Sequence, residues 1–492
     1  MKKIVSLLGI TVIICAACVT GSLFPDWQTE NPSEEDGDSG KPVQDSPHIR
    51  ISAISRTATG VDVSYPSYNP YGYDTLPAAP LTVLPDGSLA VLAADNEGNL
   101  LLIRVDPKGG AVKVSELQKD SWPGAIATDG RRIAYVAKTG NHRVDFRFVG
   151  KTGRDTVIMD NQGDNPGDRG VRNSGKGLIF RRATGELEFG TEAMYAPFIF
   201  GRVELYFLQD RWITSFPHTN NFNASDRTPG EYKGDKENYH CGECILSFCG
   251  PDGGQPKLLK GWGASHSMDL RALAAKDVYI HVSVGDVYPS DFRFYSWDSK
   301  GEKIAEVDLF GSKRFPDTQI GRNLKNEEVF GVAGGPPGVA ARLGDLVQVG
   351  PDGYMLTYAM RPGQYPNSYT AAGGSFSTQL DELALLVLDR EGHILQRTKL
   401  RSGSDVEFLH TARYGGNVLL AWKSKGKAAY WMMLVDPAGG IIQGPTRLAR
   451  EIFFNASDGF CTLPDGGVAW SAAGFGAARK AGELVVFTLP PE

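Results

Sequence analysis

Residues 84–110, LPDGSLAVLAADNEGNLLLIRVDPKGG, contain two short apolar runs that lie between turns rich in Asp, Asn and Gly. Apolar runs of this length, bounded by turn-forming residues, are typical of buried β-strands. Turns of the Asp-Gly type join neighbouring strands into antiparallel hairpins, because glycine accepts the required backbone angles at low cost. This stretch therefore predicts part of an antiparallel β-sheet.

The same combination of an apolar run and an Asp/Gly turn returns along the chain. Its turn residues are Asp106, Gly150, Asp252, Asp298, Asp389 and Asp436. The steps between them are 44, 102, 46, 91 and 47 residues, so the long steps are close to twice the short ones. The sequence is therefore a repeat with a period of about 46 residues, in which two units are expanded or degenerate.

A second turn signal precedes several β runs and contains Gly87, Gly130, Gly353 and Gly466. Two turns in each repeat predict four antiparallel strands, and four strands in about 40 to 50 residues are typical of a β-propeller blade. We therefore predict an all-β fold, a single β-propeller with seven four-stranded antiparallel blades. An eighth blade near residues 176–210 is one alternative, and a tandem of β-sandwiches is the architectural rival.

Composition supports a folded chain with many turns and excludes some classes of protein. There are 59 glycines and 29 prolines among 492 residues, and 41% of the residues are hydrophobic. That hydrophobic content is too high for a disordered chain. The formal net charge is −6 and no basic run occurs, which argues against a nucleic-acid-binding protein.

The N-terminus carries the pattern of an export signal. Lys2 and Lys3 precede an apolar stretch at 4–14, which is too short to span a bilayer as a permanent helix. The sequence Cys15-Ala-Ala-Cys18 follows and resembles the lipobox of bacterial lipoproteins, although Cys15 stands where an aliphatic residue is usual. The resemblance implies that residues 1–17 are a signal peptide and that Cys18 is lipidated. Secretion without a lipid is the alternative.

Residues 18–49 are predicted to form an acidic, disordered tether, because Asp and Glu are mixed with Ser, Gly and Pro without hydrophobic periodicity. An N-terminal arm packed on the domain is the alternative. The propeller domain is expected at 50–492. We therefore expect a monomeric, extracytoplasmic protein of the bacterial cell envelope, held at the outer membrane or cell surface by its lipid anchor.

The segment 216–290 holds four of the eight histidines. The candidate catalytic residues are His218, His240 and His266, which we place at strand ends or in turns. Imidazoles can bind a divalent metal or act as general acids and bases near neutral pH. The candidate carboxylates that would orient them or bind a ligand are Glu243, Asp269 and Asp286. Ordinary hydrogen bonding at the surface is the alternative for each histidine.

Parts of this segment resemble uncharacterised bacterial secreted or lipoprotein propellers. The matching pieces are Ser265-His266-Ser267 followed by Arg271, and Gly285-Asp286 followed by Tyr288-Pro289. The resemblance implies an envelope propeller and supplies no activity. Arg271 is a candidate binding residue, and so is Arg413 in His410-Thr-Ala-Arg413, where it would bind an anion.

Four cysteines remain after cleavage of the signal, namely Cys241, Cys244, Cys249 and Cys461. Their even number is compatible with disulfides in an oxidising compartment, and three pairings are open. Free buried thiols, a redox pair formed by Cys241 and Cys244, and a zinc site of these two cysteines with a histidine are the alternatives.

Two functions remain open. In the first, the propeller binds a protein, glycan or other envelope ligand, because the sequence contains no recognised catalytic motif. In the second, the protein is an enzyme with a histidine-rich, metal-binding site at the mouth of the channel.

Overall fold

Antiparallel β-strands make up nearly all regular structure in the part of the chain that the structure describes. The computed structural model describes residues 49–63, 79–107, 110, 112–139, 143–160, 176–181, 186–190, 194–195, 202–221, 239–248, 250–254, 256–260, 269–284, 292–309, 320–322, 328–330, 341–360, 382–402, 406–424, 427, 429–456, 458–473 and 482–491. All of them lie in one unit, Pro47–Glu492. The helices among them are two 3-10 turns, Ile51–Ala53 and Val149–Lys151. Neither is long enough to cross a membrane.

The first strand, β1 (Ser55–Val63), pairs with the C-terminal part of the chain. The next three segments each form an antiparallel sheet, which we name blades 1, 2 and 3. Blade 1 contains β2 (Leu81–Val83), β3 (Leu89–Ala94), β4 (Leu100–Val105) and β5 (Val112–Gln118). Blade 2 contains β6 (Ser121–Thr128), β7 (Ile133–Thr139), β8 (Arg143–Phe148), β9 (Thr156–Asp160), β10 (Lys176–Arg181) and β11 (Glu186–Gly190). Blade 3 contains β12 (Met194–Tyr195), β13 (Glu204–Leu208), β14 (Arg211–Asn221), β15 (Tyr239–Phe248) and β16 (Pro256–Lys260).

Three further segments form blades 4, 5 and 6, each with four strands. Blade 4 contains β17 (Asp269–Ala275), β18 (Val278–Val284), β19 (Phe292–Asp298) and β20 (Lys303–Asp308). A separate two-stranded sheet follows, β21 (Ile320–Arg322) with β22 (Glu328–Phe330). Blade 5 contains β23 (Ala341–Gln348), β24 (Tyr354–Met360), β25 (Glu382–Leu388) and β26 (Ile394–Ser402). Blade 6 contains β27 (Val406–Tyr414), β28 (Asn417–Ser424), β29 (Tyr430–Val435) and β30 (Ile441–Arg447).

The two ends of the chain share one sheet, which we name the closing sheet. It contains β31 (Cys461–Thr462), β32 (Val468–Ala473), β33 (Gly482–Leu489) and, as its outermost strand, β1. Ser55 pairs with Thr488 and Val63 with Gly482. The innermost strands contact one another in the order β2, β6, β13, β17, β23, β27 and β31, and β31 contacts β2 again. The fold is therefore a β-propeller of antiparallel blades, as the repeat predicted.

The prediction of seven blades from consecutive repeat units is not confirmed. Six continuous segments each form a blade, and the closing sheet is assembled from both ends of the chain. The eighth unit near 176–210 is wrong: β10 and β11 extend the outer edge of blade 2, while β12 and β13 both pair with β14 of blade 3. The strands of this region therefore extend blade 2 and supply the innermost strand of blade 3 instead of forming another blade.

Position within a blade explains the composition of the strands. All residues of β3, β18 and β25 are buried, because neighbouring blades cover both faces of these second and third strands. The outer strands β5 and β26 are largely exposed and mainly polar. Sheet-to-sheet packing of the inner strands thus supplies most of the apolar burial that stabilises the fold.

The two predicted series of turns are confirmed as hairpins. The turns at 106, 150, 252, 298, 389 and 436 join the third and fourth main strands of blades 1 to 6. The turns at 87, 130, 353 and 466 join the first and second strands of blades 1, 2 and 5 and of the closing sheet. In the turn at Asp298, the carboxylate accepts the backbone N–H groups of Lys300 and Glu302 at 2.9 and 2.8 Å, and Gly301 has φ 78°. The Asp/Gly signal therefore has a specific structural cause.

Antiparallel order places these hairpins on one face of the propeller, which we name the short-turn face. None of the hairpins there exceeds seven residues. The connections longer than ten residues between described strands all join strand ends on the opposite face. They span 64–80, 161–175, 222–238, 361–381 and 448–460, and the segment 309–340, which contains the two-stranded sheet of β21 and β22, joins blades 4 and 5 at the same face. We name this opposite side the long-connection face.

Candidate functional site

Charged side chains are buried around the central channel, near the ends of the inner strands that lie toward the long-connection face. We name this group the axial cluster. Its members are Arg202, Glu204, Asp269, Arg271, Asp345, His410 and Asp458, and all except Arg202 are less than 9% exposed. Charges buried to this degree are stable only when they are paired or hydrogen-bonded.

Asp345 is the centre of the axial cluster because four blades meet at its carboxylate. Arg202, which precedes β13 in blade 3, forms an ion pair with Oδ1. The Arg271 Nε of blade 4 lies 3.6 Å from the same oxygen. From blade 6, the Thr411 N–H donates to Oδ2 at 2.9 Å and the His410 Nδ1 lies 3.4 Å from Oδ2. Burial alone would raise the pKa of Asp345, but Arg202, His410 and Arg271 outweigh it and hold the pKa well below its usual range.

Asp269 joins blades 4 and 5. It forms an ion pair with Arg271 of its own strand. Its second oxygen accepts the Leu343 N–H of blade 5 at 2.9 Å. Both carboxylate oxygens of Asp269 are thereby engaged within the fold.

Glu204 shares the guanidinium of Arg202, whose Nε lies 3.3 Å from Glu204 Oε1. The Tyr206 hydroxyl lies 3.1 Å from Glu204 Oε2 and donates to the Ala272 carbonyl at 2.7 Å. Burial raises the pKa of Glu204, and Asp345 adds to the effect, although Arg202 opposes it.

Asp458 joins the closing sheet to blade 1. Its Oδ1 accepts the Ala79 N–H at 2.5 Å, and its Oδ2 accepts from the Asn455 amide at 3.2 Å. Burial raises the pKa of Asp458 to about 7, because these hydrogen bonds and the more distant Arg202 offset only part of the desolvation. Asp458 is therefore the carboxyl group of the cluster that titrates near neutral pH.

A glycine makes room for the arginine that bridges the channel. A Cβ on Gly459 would overlap the guanidinium of Arg202. Absence of a side chain at 459 lets Arg202 lie against the backbone of the closing sheet while it reaches Asp345 in blade 5. The axial cluster therefore depends on one small residue as well as on its charges.

The geometry of the axial cluster favours a structural floor over a reaction centre. Its carboxylates and arginines contact one another or backbone groups across blades 3 to 6, so their charges are compensated within the described part of the protein. Groups engaged in this way hold their positions and set the shape and potential of the channel. A ligand on the long-connection face would meet a rigid base.

The structure brings together two residues that the sequence singled out for binding, Asp269 and Arg271. It separates them from Arg413, which lies at the opposite end of β27, toward the short-turn face, and donates from its guanidinium to the Gln348 carbonyl at 2.7 Å. The His-Thr pair at His410 suggested Arg413 as a binding residue. In a strand, however, side chains alternate between the two faces, and Arg413 lies three residues further toward the short-turn face than His410.

The structure describes the backbone positions of two of the three candidate histidines, His218 and His240. His218 lies in β14 opposite Gly242, and His240 lies in β15 opposite Asn220, so their backbone positions are two residues apart in register. Glu243 is opposite Pro217 on the same pair of strands. The side chains of these residues, and the whole of His266, Asp286 and Cys18, lie outside the described residues. A shared metal or catalytic site of the histidines stays a prediction.

Arg202, Glu204, Asp345 and Asp458 were missed by the sequence reasoning. They are separated by up to 256 residues and belong to no local motif. Only Arg202 and Glu204 carry a signal in the sequence. They are charged residues at the start of an apolar run, and the start of the innermost strand of a blade lies at the channel. His410 was noticed for its neighbour and not for itself.

Two smaller features have structural explanations. Asp389, Glu391 and His393 lie close enough to hold a metal ion, but this is the recurrent Asp turn: the Asp389 Oδ1 accepts the N–H groups of Glu391 and His393 at 2.9 and 2.8 Å. Cys461 is a free thiol whose Sγ donates to the Leu81 carbonyl at 3.2 Å. Burial raises the pKa of Cys461 to about 12 and so disfavours the reactive thiolate.

Comparisons with known proteins give similarity of fold alone. No protein-family model matches the chain, and neither does any curated protein. Among solved structures, an oligogalacturonate lyase in complex with manganese is 9% identical, with a TM-score of 0.41 over 85% of this chain and 90% of that one. The subtype N11 neuraminidase-like protein of A/flat-faced bat/Peru/033/2010 is 10% identical, with a TM-score of 0.38 over 91% and 98%. A protein of unknown function from Dyadobacter fermentans is 10% identical, with a TM-score of 0.39 over 89% and 100%. Similarity at this level carries no information about activity.

Proposed function

We propose that this protein is a lipid-anchored propeller of the bacterial cell envelope that binds a protein, glycan or other envelope ligand on its long-connection face. One observation carries the proposal. The connections longer than ten residues all join strand ends on that face, whereas the opposite face consists of hairpins of seven residues or fewer. Variable, long connections on a rigid scaffold are where propellers and other β folds place their binding residues.

The axial cluster supports binding at this face. Its ion pairs cross blades 3 to 6 near the strand ends from which the long connections start, and they are engaged with one another. Such a base holds the surrounding strand ends in fixed positions, which lowers the entropy cost of recognising a ligand. A channel occupied by mutually paired charges favours recognition on the face above it.

Shortening one long connection tests the binding face. Met360 pairs directly with Glu382, so a four-residue Gly-Ser turn can replace residues 361–381 without separating β24 from β25. As a control, four residues are inserted into the hairpin 349–353 at the other end of β24. Both full-length proteins and the wild type, in detergent, are applied to an array of bacterial surface glycans and to immobilised peptidoglycan.

We expect the first variant to lose binding at least tenfold and the insertion variant to retain it. Equal binding by all three proteins would place the ligand elsewhere. Failure of the wild type to bind any glycan or peptidoglycan would leave an envelope protein as the proposed ligand, which cross-linking in intact cells would then have to capture at residues 361–381.

Lipid anchoring at Cys18 is the second part of the proposal and rests on the sequence of residues 2–18. Mass spectrometry of the mature protein should find an N-terminal cysteine with attached acyl chains. The Cys18→Ser variant should leave the membrane fraction. A mature Cys18 without acyl groups would contradict the anchor and leave simple secretion.

The enzyme alternative is favoured by one observation, the neighbouring register positions of His218 and His240. Elemental analysis of the purified full-length protein decides whether a divalent metal is bound. A stoichiometric metal that disappears in the His218→Ala and His240→Ala variants would support this alternative over a pure binding role.

A further inference from the structure

Among the residues that the structure describes, one lysine is buried without a counter-charge. Lys138 lies in β7 of blade 2 and is 8% exposed. Among the described side chains, none forms an ion pair or a hydrogen bond with its ammonium group, and burial is the cause of the change in its pKa. The cations of the axial cluster, Arg202 and Arg271, each have a carboxylate partner.

Lys138 lies at the seam between blades 2 and 3. It is the last residue but one of β7, which runs toward the long-connection face. Val136 packs in a cluster with Val144, Trp212 and Phe216, the last two from β14 of blade 3. Because side chains alternate along a strand, Lys138 continues the face of Val136 that packs against blade 3. Its ammonium group therefore marks the end of an apolar seam at the proposed binding face.

Asp145 of the neighbouring strand β8 does not neutralise Lys138. Asp145 is paired in register with Ala137, and Ala137 packs in the cluster on the blade 1 side of the sheet. Its oxygens already accept from Arg143 Nε at 2.7 Å, Thr139 Oγ1 at 3.1 Å and a terminal nitrogen of Arg147 at 3.2 Å. Asp145 therefore serves the opposite seam.

A buried ammonium group without a partner destabilises the protein, because desolvation is not repaid by an ion pair. Burial lowers the pKa of Lys138 to about 8, so most molecules keep the charge at neutral pH. A methionine, whose side chain is also unbranched, would occupy the same position without the desolvation penalty of a charge. An anion that enters the seam would find an ammonium group that has already lost most of its water.

We propose that Lys138 binds an anionic group, a carboxylate, sulfate or phosphate, of the ligand on the long-connection face. The inference rests on the proposed function, to which it adds the charge of the ligand and one binding residue. A lysine offers three donors around a point charge and so accepts any of these anions without requiring a planar arrangement. The strand β14, which packs in the same seam through Phe216, continues to His218 two residues later.

The test measures melting temperature of the full-length protein in detergent as sodium acetate, sulfate or phosphate replaces chloride at constant ionic strength. Wild type should show a saturable increase with at least one anion. Lys138→Arg should retain the increase because it keeps the charge, and Lys138→Met should lose it. The control Lys300→Met, an exposed lysine of a short-turn hairpin, should respond like the wild type.

A second readout comes from chloride alone, where Lys138→Met should melt at the same temperature as the wild type or higher. A clear decrease would overturn the proposal, since it would mean that Lys138 already has a partner within the chain. Anion responses that are absent from the wild type, or equal in the wild type and Lys138→Met, would also overturn it. If the anion response depends on Lys138 but shortening of 361–381 changes no binding, the proposed face fails while the anion site stands. If shortening of 361–381 abolishes binding but Lys138→Met does not affect it, the proposed face stands and the anion site fails.

Discussion

At the scale of single residues, a few buried charged side chains form the polar interactions that join the blades. Asp345 of blade 5 contacts three other blades: Arg202 of blade 3, Arg271 of blade 4 and, through the N–H of Thr411, blade 6. In the buried interior, removal of one partner of such a group leaves the others uncompensated, which costs more than the pair itself contributes. Single substitutions at this site should therefore affect the whole ring.

Asp345→Asn tests this directly. The amide keeps the shape but removes the charge that faces Arg202 and Arg271, so the free energy of unfolding should fall by about 3 to 5 kcal/mol. Asp352→Asn is the matched control, because Asp352 lies in an exposed hairpin of the same blade. Chemical denaturation of both variants gives the comparison, and a change below about 0.5 kcal/mol for Asp345→Asn would show that the hub is dispensable.

Asp458 should make stability depend on pH near neutrality. Its pKa is raised by burial to about 7 in the folded protein, so its contribution to stability is fully present below the pKa of the unfolded state, near 4, and is lost as the pH rises through 7. Asp458→Asn keeps an acceptor for the Ala79 N–H without the charge. The variant should gain about 2 to 4 kcal/mol relative to the wild type between pH 4 and pH 8. Parallel pH profiles of the two proteins would contradict this assignment.

At the scale of the strand pair, hairpin glycines have two separable roles. Gly87 and Gly392 both have φ near 80° in hairpins of the short-turn face. A Cβ on Gly87 would meet nothing within 4 Å, whereas a Cβ on Gly392 would lie 2.6 Å from Val307 and 2.7 Å from Phe294 of blade 4. The first glycine is required by backbone angle alone, and the second also lets neighbouring blades approach.

The pair Gly87→Ala and Gly392→Ala measures the difference. Both should lose about 1 kcal/mol from the positive φ, and Gly392→Ala should lose a further 1 to 3 kcal/mol, roughly, from overpacking. Differential scanning calorimetry under one set of conditions gives both values. Equal losses of stability in the two variants would mean that the side chains of blade 4 rearrange to accommodate the added methyl group.

At the scale of the whole molecule, ring closure depends on strands from the two chain ends. Val63 is 1% exposed and packs in the core of the closing sheet, although its strand precedes its partner β33 by more than 400 residues. Contacts between such distant segments are costly in chain entropy until the rest of the ring exists. Closure is therefore the step that completes the propeller.

Val63→Asp should weaken closure by placing an unpaired carboxylate in that core, with a loss of about 3 kcal/mol or more. Val114→Asp is the control, since Val114 is 44% exposed on the outer strand β5. Thermal unfolding and limited proteolysis near β1 are the measurements. If both variants unfolded alike, the closing sheet would carry no special share of the stability.

The sequence by itself determined the repeat, the antiparallel hairpins and the positions of their turns. Those features depend on local chemistry: an aspartate such as Asp298 accepts from backbone groups two and four residues away, and Gly301 supplies the positive φ between them. Local interactions of this kind are readable from the residues that make them.

Tertiary structure alone decided the blade boundaries and the axial cluster. The sequence of β10 to β13 suggested a further repeat unit. In the structure, β10 and β11 join the edge of blade 2, and β12 and β13 pair with β14 of blade 3. Arg202 and Asp345 are 143 residues apart, and nothing local marks them as partners. Asp269 was selected as a carboxylate near the candidate histidines and Arg271 through the resemblance to envelope propellers, but the charge of Asp345 that faces Arg271 comes from another blade. Pairing across a ring depends on closure of the whole chain, and for that reason the sequence predicted the strands and turns but not the buried network that they bring together.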